Sequence, residues 1–264
     1  MDYDDANEDV NPQNCATSAK SAKYTESLNI FSRSLKIFIC EKGPWDLKVA
    51  NAFCSIGNIY IRTGMLHEAL AMYEKDLQVC LHSLDPANIR VAGAKYNAGL
   101  ASCRIGRYSE ALALLEDCFH IRVDALGPQH ILVAHALAGI GGVYSCTGRH
   151  TEALERYQQD IVIRRAIDPD NYTLALSLRN SASARACLGQ NDQAIQECGE
   201  AHVLFLRQLG PLHPFTIKTH QMLANLASDD PKTIYGKQVY SPDLKNQTTT
   251  THLDRHLTKW NVNL

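Results

Sequence analysis

Eleven histidines and nine cysteines are the side chains of this 264-residue chain best suited to chemistry, as metal ligands or reactive thiols. His252 and His256 stand four apart, which puts both imidazoles on one face of a helix. The intervening Leu253-Asp254-Arg255 lacks the glutamate of a zinc-peptidase helix, and no third ligand stands nearby. The cysteines, running from Cys15 to Cys198, are odd in number and form no C-x-x-C pair. Most stand at small apolar positions, and they read as reduced, buried thiols of a cytosolic protein. No phosphate loop, dinucleotide fingerprint or nucleophile elbow occurs. The chain therefore reads as non-enzymatic, with neither a metal nor a cofactor expected.

Polar side chains able to hold another chain are the stronger candidates. Asparagine offers both a donor and an acceptor, so it can bond the backbone of an extended peptide without reading its side chains. Asn58, Asn97 and Asn180 are placed to do this, and Arg62, Arg104 and Arg179 to pair with acidic residues.

A repeated unit must position these residues. Asn51–Ala92 shows it most clearly: Phe53-x-x-Ile56-Gly57-x-x-Tyr60, then Gly64, then Ala69-x-x-x-Tyr73, then Pro86. Ala50, Ala92, Ala134, Ala175 and Ile217 close successive units at spacings of 42, 42, 41 and 42. Gly64, Gly106, Gly148 and Gly189 break each unit between two helices, and Pro86, Pro128, Pro169 and Pro211 mark the following loops. Gly57, Gly99, Gly141 and Ala182 sit in the first helices opposite Ala69, Ala111, Ala153 and Ala194 in the second. A helical glycine costs roughly 1 kcal/mol against alanine, so its recurrence calls for a close approach of the two helices. The tyrosines at 60, 73, 144 and 157 read as core between hairpins. The fourth unit departs furthest, with Ser181-Ala182, Arg185 in place of Tyr60, and Cys198 in place of Tyr73.

The order of a large residue, an apolar-Gly pair, Tyr, Gly, Ala and an aromatic resembles the tetratricopeptide repeat. The long repeat and the Leu-Gly-Pro-x-His loops at 126–130 and 209–213 resemble the kinesin light chain type. The resemblance covers about residues 24–228. It implies an all-α, right-handed α-α superhelical solenoid of helix hairpins: four full repeats with a partial repeat at each end. It also implies that the first helices line a concave groove that takes peptides, with Asn97 and Asn180 at the positions of a family groove asparagine. His130 and His213 would be structural loop residues. Against the carboxylate clamp of chaperone-binding relatives, Asn58 and Asn97 match, but Cys54, His135 and Gly139 stand where basic residues are needed. That clamp is excluded. The long heptad segment that joins a light chain to its motor is also missing from the sequence.

These readings divide the chain into an acidic, disordered tail at 1–20, a repeat domain at 21–230 and a polar tail at 231–264 with a short helix at 251–260. The tail residues Asp2, Tyr3, Asp4, Asp5, Glu8 and Asp9 could mask the groove, a contact that removing residues 1–20 would release. A net charge of −2 gives no basic bias for nucleic acid or a membrane surface, and no signal peptide opens the chain. A cytoplasmic scaffold or adaptor is expected, binding protein or peptide segments with acidic stretches. The alternative is a regulatory repeat block acting through self-association or intramolecular contacts, favoured by the incomplete first unit and the shortened third.

Overall fold

Each first helix opens on a side chain that accepts a hydrogen bond from the backbone two residues on. Asp46, Asn88 and Asn171 use carboxylate or amide oxygens, at 2.8, 2.8 and 2.9 Å. His130 and His213 use Nδ1, at 3.1 and 3.2 Å. Such caps satisfy N–H groups that the first helical turn leaves without partners. The loop histidines are structural, as the resemblance implied. An accepting Nδ1 leaves the ring proton of the neutral imidazole on Nε2.

The computed structural model describes residues 12–228, with side chains from Lys23 onward. All regular structure there is α-helical. Two compact units divide between Ser83 and Leu84. The first holds α1 (Pro12–Lys42), α2 (Leu47–Thr63) and α3 (Leu66–Ser83). Helix α1 packs on α2, and α2 pairs with α3. Trp45 stacks on His82 with ring centroids 4.0 Å apart, tying the α1–α2 loop to the end of α3. Helix α1 starts at Pro12, so residues 12–20 are helical and the tail reading does not apply to them. Their polar composition suggested a tail, yet no breaker follows Pro12, and proline suits the first turn of a helix. Residues 1–11 and 229–264 lie outside the described residues, and with them the masking contact, the helix at 251–260, His252 and His256.

The second unit runs through α4 (Ile89–Arg104), α5 (Tyr108–Leu126), α6 (Ile131–Cys146), α7 (His150–Ile167), α8 (Tyr172–Cys187), α9 (Asn191–Leu209) and α10 (Pro214–Ala227). Helices pair as α4–α5, α6–α7 and α8–α9, with α10 closing on α9. Helix α5 also packs on α6, and α7 on α8, so each hairpin buries a face on the next. Leu115, Ile140, Val143, Leu154 and Tyr157 form one such shared core. Leu174, Leu178, Leu204 and Phe205 form another.

The helical glycines mark where the paired helices meet. A Cβ on Gly57 would lie 2.7 Å from Cε1 of Tyr73, and one on Gly141 would lie 2.7 Å from Cε1 of Tyr157. The tyrosine ring occupies the space a side chain at the glycine would need, and its buried area offsets the glycine's helix penalty.

Candidate functional site

The six predicted binding residues fall in both units. Asn58 and Arg62 lie on α2 of the first; Asn97, Arg104, Arg179 and Asn180 lie on α4 and α8 of the second. On α2 both side chains are exposed. Asn58 Oδ1 already accepts from the Tyr73 hydroxyl at 2.7 Å. Its amide therefore holds the ring that fills the Gly57 gap, while Nδ2 donates to Cys54 Sγ at 3.9 Å. Arg62, near the C-terminus of α2, makes no ion pair among the described residues.

In the second unit the three first helices form a row, α4 touching α6 and α6 touching α8. Asn97 and Asn180 occupy equivalent half-buried positions on the outer two, with Gly139 between them in sequence register. Arg104, the last residue of α4, is exposed and makes no ion pair among the described residues. Arg179 is used differently. Its guanidinium lies over the rings of Phe205 and Phe215, 5.9 and 5.4 Å from their centroids. The charge is held at a fixed place rather than on a free arm.

Behind the row lies a set of charges that the sequence reading assigned to no site. Arg122 on α5 is 4% exposed, donates from Nη1 to Leu132 O at 2.7 Å, and lies 4.7 Å from the Tyr96 ring centroid. It has no carboxylate partner among the described residues. One repeat later, Arg164 is 5% exposed and bonds Asp160 Oδ1 at 2.6 Å. Neither Arg122 Nε nor Arg164 Nη1 has an acceptor among the described residues. Arg164 is paired with the buried Asp160 and Arg122 with no carboxylate among the described residues, which leaves a net positive charge in low-dielectric surroundings.

His135 on α6 registers this field. Its pKa falls to about 4, first through burial and then through Arg164 and Arg122. Its imidazole is thus neutral at physiological pH and lies on the same face of α6 as Gly139. Burial pushes the Tyr96 phenol up, against the pull of Arg122. It also pushes the Asp160 carboxyl up, against Arg164.

Arg122 and Arg164 escaped notice because charges on a helix ordinarily read as its solvated face. The usable signal was register: they stand 42 residues apart at positions where other units carry Cys80 and Phe205, both fully buried.

The cysteines divide by environment. Cys80, Cys118 and Cys198 are buried as expected, and burial raises Cys118 and Cys198 to about 11. Cys40 and Cys187 are exposed, which the small-apolar reading did not anticipate. Two clefts also open in the second unit, away from all six predicted residues. One of about 530 Å³ lies along Phe119, Val123, Val133, Leu137, Val162 and Ile163. The other, about 320 Å³, lies by His202, Leu206 and Ile217. No described helix is long and apolar enough to cross a membrane.

Residues 54–87 and 90–160 each match a tetratricopeptide repeat family model. No curated protein matches the chain in sequence. Among solved structures, the chain is similar to BtubC (BKLC) from P. vanneervenii at 17% identity, over 74% of this chain and 78% of that one, with a TM-score of 0.64. It is similar to the nearly identical TPR-like repeats attributed to a Podosopora anserina kinesin light chain at 16% identity, over 72% and 90%, with a TM-score of 0.60. MamA matches at 18% identity over 73% and 94%, with a TM-score of 0.50. At these identities the likeness is one of fold. With the hairpins, the interlocking glycines and the capped first helices, residues 54–87 and 90–160 are tetratricopeptide repeats, and the fold is similar to that of repeat proteins of the kinesin light chain type.

Proposed function

We propose that the second unit is a non-catalytic peptide-binding module that takes an extended segment with acidic side chains along the α4–α6–α8 row. The observation that carries this is the buried Arg122, which no carboxylate among the described residues neutralises. A buried cation behind a polar face favours an incoming carboxylate more than a solvated one does, because little water screens it. Asn97 and Asn180 supply backbone bonds at either end of the row. Arg104 meets a carboxylate directly, and Arg179 contributes a charge fixed by its two rings. On α2 of the first unit, the exposed Arg62 and Asn58 offer the same chemistry on a smaller scale. The role is that of a scaffold or adaptor, and reduced thiols suit a cytoplasmic setting.

The test is fluorescence anisotropy with a labelled Asp/Glu-rich peptide and its Asn/Gln counterpart, titrated with the full chain. The acidic peptide should bind in the micromolar range, about −8 kcal/mol. Its affinity should fall as salt rises, and by roughly 3- to 10-fold in Arg104→Gln. Equal affinity for both peptides, indifferent to salt and to Arg104→Gln, would overturn the proposal. Sedimentation of the unliganded chain addresses the self-association alternative, which requires a concentration-dependent oligomer.

A further inference from the structure

One pair of side chains in the second unit is chemically unlike its surroundings and plays no part in peptide binding as proposed. Cys103 lies one residue before the end of α4, and Cys146 is the last residue of α6. These helices belong to neighbouring hairpins and touch. Both cysteines are half-buried, so a small solute can reach them, unlike Cys118 or Cys198. Their thiols meet: the Cys103 S–H donates a hydrogen bond to the Cys146 sulfur. The pairing runs across the register, because Cys146 is the equivalent of Arg62 and Arg104, whereas Cys103 is the equivalent of Ile61 and Ser145. A search along the sequence for C-x-x-C would not find it.

The contact divides the labour between the two sulfurs. The hydrogen bond from Cys103 stabilises a Cys146 thiolate, bringing that thiol down to about 7. The same bond, with burial, holds the Cys103 proton more tightly. A low-pKa, partly accessible thiolate beside a second thiol is the arrangement that oxidants select. The sulfurs must approach from hydrogen-bonding distance to about 2.05 Å. Cys146 ends its helix, ahead of Thr147 and Gly148.

We propose that Cys103 and Cys146 are a redox modification site, closed to an inter-repeat disulfide by a hydroperoxide. The Cys146 thiolate attacks one oxygen of hydrogen peroxide, the O–O bond breaks, and the departing hydroxide takes a proton to leave as water. Cys146 is then a sulfenic acid. Cys103 loses its proton and attacks the Cys146 sulfur, forming the S–S bond as the S–O bond breaks and a second water leaves. Two thiols and one peroxide give one disulfide and two waters. The crosslink joins α4 to α6 beside Arg104, fastening one repeat to the next. It stands whether or not the row binds acidic peptides.

The experiment treats the reduced full chain with equimolar hydrogen peroxide at neutral pH, blocks remaining thiols with iodoacetamide, and maps the peptides by mass spectrometry. The expected product is a Cys103–Cys146 linked peptide, formed before the exposed Cys40 and Cys187 react. Cys103→Ser should leave Cys146 as a sulfenic acid trapped by dimedone. Cys146→Ser should slow oxidation at least about 10-fold and leave Cys103 alkylated. Each variant's helical circular dichroism shows whether it is folded. Full alkylation of both cysteines in the treated wild type, or oxidation falling first on Cys40 or Cys187, overturns the assignment.

Discussion

The α6–α7 and α8–α9 hairpins occupy successive places in one series and solve the same packing problem in opposite ways. In α6–α7, Gly141 makes room for the Tyr157 ring, and Tyr144 fills the space at the end of the first helix. In α8–α9, the smaller Cys198 replaces the ring and the glycine becomes Ala182. The second tyrosine becomes Arg185, whose Nε bonds Glu197 Oε1 at 2.9 Å while Nη1 bonds Gln190 and Gln193. The helix spacing is thus set by a size match between two facing residues, and neither residue type is needed by itself. The α2–α3 hairpin follows the glycine–tyrosine solution, with Gly57 against Tyr73.

The largest way to break the contrast is to move alanine into the glycine positions. Gly141→Ala or Gly57→Ala places a methyl inside contact distance of a ring carbon and should cost about 2–3 kcal/mol, read by urea unfolding. In Gly141→Ala/Tyr157→Cys, which copies the fourth unit, the alanine should no longer add to the cost of losing the ring. Additive costs would mean that the close contact does not govern spacing.

His135 gives an effect of similar size that appears only with pH. Its folded value of about 4 lies below the 6.5 of a free imidazole. Between these values the unfolded chain binds a proton that the folded chain refuses. Stability should therefore be complete above pH 6.5, fall as pH drops toward 4, and level off below. The loss should be about 2 kcal/mol after discounting for the ring's partial exposure, and His135→Gln should remove this step.

Breaking the fourth unit's polar substitute costs less. Glu197→Ala leaves the Arg185 guanidinium short of its carboxylate and should lose about 1–2 kcal/mol. Ala182→Gly should lose about 1 kcal/mol through helix propensity, with no ring waiting to fill the space. The smallest effect belongs to the caps. His130→Ala should cost about 1 kcal/mol, and His130→Asn, which copies Asn88 and Asn171, should restore most of it.

Much of this architecture was legible because tetratricopeptide packing is local. Gly64, Gly106, Gly148 and Gly189 mark every turn within a hairpin, each with positive φ, and the small residues at 57, 99, 141 and 182 mark every close approach. The site was less legible, because its chemistry depends on neighbours distant in sequence. Nothing near Asn58 announces that the Tyr73 hydroxyl claims its oxygen. Arg179 looks like a free cation until the rings of Phe205 and Phe215 are placed beneath it. The α1 boundary was missed for a different reason: polar composition was taken as a sign of a tail, yet it is no barrier to a helix that starts on Pro12.

The central claim, that acidic peptides lie on the α4–α6–α8 row, is tested most directly by mapping where one binds. Backbone amide shifts of the isotope-labelled full chain, followed during titration with an acidic peptide, give that map. The account expects the largest changes at Asn97, Arg104, His135 and Asn180. Changes confined instead to the apolar cleft around Phe119, Val133 and Val162, with the row unmoved, would contradict it.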